Sequence, residues 1–261
     1  MAEDPHAEAL SPFALDGKTA IVTGAGSGVG KATARLFAAA GAQVVLADIN
    51  LPAAEAVAQE LAGALAVHVD IADEASVKAM FAAALEAFGK LDVLVNNAAF
   101  RPKADFMEMS VEQWDHMHAV NTRGAFLCTR EAVRAMRTSG GGSIVNVSSV
   151  SAQRPTVFAN THYDSSKAGV DAITRACAVE FAGDGVRVNS VLPGGVDTEG
   201  GAAIRASGLV VKGPITMPGR VVLGRIAQPI ELARAILFLA SDASSFITGH
   251  ELVVDGGYSV G

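Results

Sequence analysis

The sequence predicts an α/β fold, a doubly wound and mainly parallel sheet with helices on both faces. Short runs rich in β-branched residues alternate along the chain with longer Ala- and Leu-rich stretches of helical period. Those longer stretches can carry the chain back over the sheet in right-handed crossovers. Half of the 261 residues are hydrophobic and only 18% are charged, so one large core can be buried.

Residues 1–16 read as an N-terminal tail. They are acidic and broken by Pro5 and Pro12, unlike a secretory signal with its basic start and apolar middle. Residues 17–261 read as one domain. Its strands are expected over 19–22, 43–47, 64–69, 91–95, 143–147, 187–191 and 251–254, and its helices begin near Val29, Leu51, Asp73, Ser110, Tyr163 and Pro229. The fourth helix should run over 111–136. Residues 198–231, rich in Gly and Pro and without a clean period, read as an irregular excursion above the sheet, the substrate loop.

A formal net charge of −7 gives no footprint for nucleic acid or an anionic membrane, and the partner is expected to be a small molecule. No run of apolar residues is long enough to span a bilayer. Cys128 and Cys177 sit singly in helical patterns and read as core thiols, which with the N-terminus suggests a reduced, cytoplasmic protein. His116 and His118 are two residues apart and face different ways, so no metal site is expected.

The first strand runs into Thr23-Gly24-Ala25-Gly26-Ser27-Gly28-Val29-Gly30, which opens the first helix. Residues without Cβ let the backbone turn sharply and let a phosphate approach amides at a helix N-terminus, where partial positive charge gathers. Gly24, Gly28 and Gly30 follow a Gly-x-x-x-Gly-x-Gly spacing. Asp48 ends the second strand, where a carboxylate can accept from both adenosine ribose hydroxyls and repel a 2′-phosphate. Ile49-Asn50-Leu51 brings no cation, so NAD is expected over NADP. Asp70-Ile71 and Asn96-Asn97-Ala98 end the third and fourth strands, at the edge where such sheets bind ligands.

Tyr163 and Lys167, four apart on a helix, share a face. A cation beside a phenol stabilises the phenolate and brings the tyrosine toward acid/base work at neutral pH. Ser148-Ser149 ends the fifth strand at the same sheet edge. Asn121, inside a helix where such a side chain is locally disfavoured, needs a tertiary reason.

In this order and spacing the motifs resemble the single-domain, NAD(P)-dependent branch of the short-chain dehydrogenase/reductase family from Gly17 to Gly257, with Asp255-Gly256-Gly257 as its last landmark. The resemblance implies a seven-stranded Rossmann sheet, a homotetramer joined through the helix at Tyr163 and the C-terminal segment, and an enzyme interconverting a secondary alcohol and its ketone. It implies that Tyr163 exchanges the proton with the substrate oxygen, Ser149 hydrogen-bonds that oxygen, Lys167 binds the nicotinamide ribose and acidifies Tyr163, and Asn121 anchors a water that relays protons. The cofactor set it implies is Gly24, Ser27, Gly28, Val29, Gly30, Asp48, Ile49, Asp70, Ile71, Asn97, Ala98, Tyr163, Lys167, Pro193, Gly194, Val196 and Thr198.

Ala99 replaces a glycine usual in the family. Ser149 precedes Tyr163 by 14 residues, one more than in many members, so the 154–162 loop should bulge and Ser151 stays open as the alternative serine. His162 is expected to face solvent. Arg101, Lys212, Arg220 and Arg225 flank the site and read as solvated charges that could hold a substrate anion. Phe100, Val157, Phe158 and Leu209 should make the mouth apolar, favouring a hydrophobic or cyclic alcohol. A 3-oxoacyl thioester reductase and a polyol or sugar dehydrogenase are the alternatives within the family. A non-catalytic nucleotide-binding scaffold is the alternative outside it, against which the intact tetrad speaks. A sugar-nucleotide epimerase would need a further C-terminal substrate domain.

Overall fold

Alternating side chains of a strand face opposite ways, so a strand covered on both sides must be apolar throughout. β1 (Thr19–Thr23) sets Ala20, Ile21 and Val22 between two threonines, with every residue buried. The computed structural model describes residues 10–206 and 211–261. β1 pairs with β2 (Gln43–Asp48) on one side and β4 (Val93–Asn96) on the other; β3 (Leu65–His68), β5 (Gly142–Val147), β6 (Val186–Pro193) and β7 (Glu251–Val254) complete a seven-stranded sheet of order 3-2-1-4-5-6-7. All six pairings are parallel.

Ile21, Val45, Leu94 and Ile144 point to one face, where they meet Met80 and Phe81 of α3 (Glu74–Phe88) and Leu127 and Cys128 of α5 (Gly124–Ser139). Ala20, Val22, Leu46, Val95 and Val145 point to the other. There they pack on Phe37 of α1 (Gly28–Ala39), Ala54 of α2 (Leu51–Ala58), and Leu232 and Ile236 of α8 (Pro229–Ala240). The doubly wound sheet expected from the sequence is the one observed.

Two stretches differ from expectation. The helix anticipated over 111–136 is broken into α4 (Val111–His118), a π-helical turn (Ala119–Arg123) and α5. The wider turn accommodates an extra residue, and Asn121 within it turns its amide to the neighbouring loop and helix. The excursion at 198–231 is not wholly irregular: it contains α7 (Glu199–Ala206) and a 3-10 turn (Pro214–Thr216). The Thr198 hydroxyl accepts from the Gly201 amide at 3.2 Å and starts α7, a local cap that the glycines in the same stretch obscured. α6 (Thr161–Glu180) begins two residues before Tyr163. No described helix is long and apolar enough to cross a membrane.

Phe37 is fully buried between the sheet and α8. Phe37→Ala should cost about 3–5 kcal/mol of stability, read as a fall in the urea midpoint at unchanged slope.

Candidate active site

Where β1 and β4 part company the sheet leaves a crevice at its carboxyl edge. Thr23 binds its two walls together: its hydroxyl donates to the Val95 carbonyl at 3.2 Å and accepts from the Asn97 and Ala98 amides at 3.0 Å each. The Asn97 carboxamide in turn donates to the carbonyls of Thr23 and Gly24. Gly24 and Gly28 adopt the left-handed φ of +65° and +51° that a side chain would strain, and a Cβ on Gly30 would overlap the Gly24 carbonyl. Gly30 therefore serves the turn from behind and does not line the cleft.

The N-terminus of α1 already holds an anion. The Gly28 amide donates to a carboxylate oxygen of Glu199 at 2.9 Å, and Lys31 pairs with the other oxygen. Lys31, the amide of Glu199 itself and that of Gly28 hold this carboxylate at about 2. The amide at this helix N-terminus, where partial positive charge gathers, thus takes an anionic partner. Nothing local joins Glu199 to Lys31, 168 residues away, and the sequence reading missed the pair.

Asp48 ends β2 and accepts from the amides of Gly26 at 2.8 Å and Asn50 at 2.9 Å. It lines a cleft of about 590 Å³ together with Ile49, Asp70, Ile71, Asn97, Ala98 and, across the turn, Gly24, Ser27, Gly28 and Val29. The far wall carries Ser149, Tyr163, Lys167, Pro193, Gly194, Val196 and Thr198. Every residue expected to hold the dinucleotide except Gly30 thus faces one continuous space, and the residues present fit that group.

Tyr163 is buried. Burial pushes its phenol above the ordinary value, while the charge of Arg101 and a hydrogen bond with Ser149 pull it down. Two cations lie over the ring: Arg101, its guanidinium carbon 4.9 Å from the centroid, and Lys167, its ammonium 5.8 Å from the centroid and donating to the Val147 carbonyl at 2.8 Å. Burial pushes Lys167 down to about 8. Ser149 is the serine on the cleft, whereas Ser151 donates to the Ser149 hydroxyl at 2.9 Å from outside the cleft wall. The loop before α6 carries Ala159 at φ +57°, where the extra residue was expected to disturb it.

Asn121 stands behind the cleft wall. Its carbonyl oxygen accepts from the Phe100 amide at 2.8 Å, and its amide donates to the Phe100 carbonyl at 3.0 Å and the Ser166 hydroxyl at 2.9 Å, tying the 97–101 wall to α6. His162 does not face solvent as expected. It is fully buried, neither ring nitrogen has a hydrogen-bond partner, and burial followed by the nearby His118 lowers its pKa. The start of α6 two residues upstream of Tyr163 turns it inward. His116, weighed in the sequence only as a metal ligand, lines the cleft edge-on to Phe100 with ring centroids 4.6 Å apart. Of the expected apolar mouth Phe100 lines the cleft, Val157 is buried elsewhere, Phe158 is exposed off the wall, and Leu209 falls outside the described residues.

Asp171 is buried one turn beyond Lys167, and its Oδ1 has no hydrogen-bond partner. Burial pushes its carboxyl up to about 6, although the Ser148 and Ser190 hydroxyls oppose this. A raised folded-state value contributes stability below the unfolded value, and that stability is lost as pH rises through about 6. Asp171→Asn should therefore gain stability over the parent, the gain being larger at pH 8 than at pH 5 by about 1 kcal/mol in urea unfolding.

Residues 24–259 match the family model described as enoyl-(acyl carrier protein) reductase. The chain is 45% identical over 247 residues to cis-4-hydroxycyclohexanecarboxylate dehydrogenase of Sinomonas cyclohexanicum, covering 93% of this chain and 96% of the relative. It is 41% identical over 256 residues to D-threitol dehydrogenase of Mycolicibacterium smegmatis, covering 95% of each. Among solved structures it resembles the 3-ketoacyl-(acyl-carrier-protein) reductase of Brucella melitensis complexed with NADH, at a TM-score of 0.86 and 38% identity over 95% of this chain and 100% of that one.

Proposed function

The chain belongs to the short-chain dehydrogenase/reductase family and is an oxidoreductase acting on CH–OH groups with a nicotinamide cofactor, and from that premise we propose that it is an NAD(H)-dependent dehydrogenase of a cyclic secondary alcohol. One observation carries the reading: the glycine turn with Asp48 and the trio Ser149, Tyr163 and Lys167 open on the same cleft. Asp48, fixed by the Gly26 and Asn50 amides, sets a negative charge where the 2′-phosphate of NADP would lie. The relative acting on a hydroxycyclohexane and the apolar faces of Phe100 and Val120 favour a ring over an open polyol.

NAD, when bound, would supply the hydride acceptor. The chain's own residues bind, orient and move the proton. Ser149 holds the alcohol oxygen, and Tyr163 takes its proton, with Arg101 and Ser149 opposing the rise that burial imposes on its phenol. Lys167 would hold the nicotinamide ribose, its ammonium drawn toward the cleft from the Val147 carbonyl that occupies it here. Gly24, Ser27, Gly28 and Val29 would cradle the pyrophosphate, Asp70 and Ile71 the adenine, and Pro193, Gly194, Val196 and Thr198 the nicotinamide. Asn121 keeps the 97–101 wall at its distance from α6.

Residues 17–261 form the catalytic domain of this proposal and 198–231 its substrate loop. Exposed apolar side chains on α6 and toward the C-terminus, Val179, Phe246 and Val260, support assembly into a homotetramer. The unpaired Cys128 and Cys177 suit the reducing cytoplasm.

Tyr163→Phe should lower turnover by about 10³-fold with NADH binding, followed by fluorescence, within about twofold of the parent; a parental rate would remove Tyr163 from its role. Asp48→Ala should weaken the preference for NAD over NADP about tenfold or more in kcat/KM, and a parent that already prefers NADP would overturn the cofactor assignment.

A further inference from the structure

Four cations border the mouth, and three have protein partners or lie off the wall. Arg225 grips Glu231 with two bonds of 2.7 and 2.8 Å, Arg220 donates to the Gly261 carbonyl and lies over the Tyr258 ring, and Lys212 stands off the cleft. Arg101 differs. It lines the cleft over the Tyr163 ring, and among the described residues no carboxylate stands within ion-pairing distance of it. The acid nearest in charge, Asp164, is engaged by the Asn160 amide, and burial favours its neutral form.

Two residues on, Lys103 is half-buried and, among the described residues, likewise without an ion pair; burial and then the charge of Arg101 push its ammonium down. The charge of Arg101 also bears on Lys167. A chain with seven excess acids thus sets both Arg101 and Lys167 on the lining of its cleft, with Lys103 two residues on from Arg101. An anion from outside would relieve the repulsion between them.

We propose that this anion is a carboxylate carried by the substrate itself: a hydroxy acid whose hydroxyl meets Ser149 and Tyr163 and whose carboxylate, one ring's width away, lies in the fork of Arg101. The inference rests on the dehydrogenase reading for the hydroxyl end and adds the second anchor. A planar guanidinium matches a planar carboxylate with two parallel hydrogen bonds. The guanidinium lies within one ring's breadth of the phenol that would hold the hydroxyl. Phe100, edge-on to His116, and Val120 supply the apolar wall for the ring between the two anchors.

Titration calorimetry on the NADH-saturated protein tests this with cyclohexanecarboxylate and its neutral analogue cyclohexanecarboxamide, neither of which can be oxidised. The parent should bind the acid at least about tenfold tighter, Arg101→Gln should abolish that preference, and Arg101→Lys should keep part of it. Equal affinities in the parent, or a preference that survives Arg101→Gln, would overturn the proposal. In turnover, Arg101→Gln should raise KM for 4-hydroxycyclohexanecarboxylate about tenfold relative to its methyl ester; a change in kcat shared by both reports the pull of Arg101 on Tyr163. Binding of the acid without oxidation of either alcohol would sink the dehydrogenase reading and leave the carboxylate anchor standing.

Discussion

One hydroxyl group holds the two halves of this molecule in register. Thr23 reaches from the end of β1 to three backbone groups of β4 and the turn after it, and β1 and β4 are the neighbours between which the strand order reverses. Parallel strands diverge at such a point, and the backbone groups exposed there need partners. Because one side chain satisfies three of them, the glycine turn and the 96–99 segment cannot drift apart. The width of the crevice between them is a property of the core.

A second set of buried polar groups extends that rigidity across the sheet. Asn96 donates to Asn146, Asn146 to Thr174, and Thr174 shares a hydrogen bond with Ser190, each at 2.8 Å. The chain links β4, β5, α6 and β6 beneath Lys167, and each link is satisfied by the next. Networks of this kind lose much when one member is removed and little when all are present. α6 carries Tyr163 and Lys167, so the register of the reacting side chains is set by contacts that never touch a ligand.

What could be read in the sequence was local. The glycine turn, the acid closing β2 and the tyrosine and lysine four apart each owe their meaning to spacing within one strand-turn-helix unit, and the sheet follows from repeating that unit. What could not be read depends on approach between distant segments or on helix phase. Glu199 meets Lys31 across 168 residues. His162 is buried because α6 begins two residues early, and Gly30 stands behind the turn because the carbonyl of Gly24 folds over it. Arg101 looked like one of four equivalent surface charges until the other three proved to be engaged or remote. The cation expected beside Tyr163, Lys167, lies over its ring while donating to the Val147 carbonyl; what spacing could not show is the second cation over that ring, Arg101, brought there by a loop.

The carboxylate of Glu199 on the Gly28 amide has a thermodynamic consequence. Any phosphate that takes that amide must release Glu199, and Glu199 is the first residue of α7, at the base of the 198–231 excursion. Filling the turn is therefore an exchange of anions, its net affinity reduced by the pair with Lys31 that it breaks. Whatever anion seats on that amide in place of Glu199 also frees the first residue of α7 from the turn.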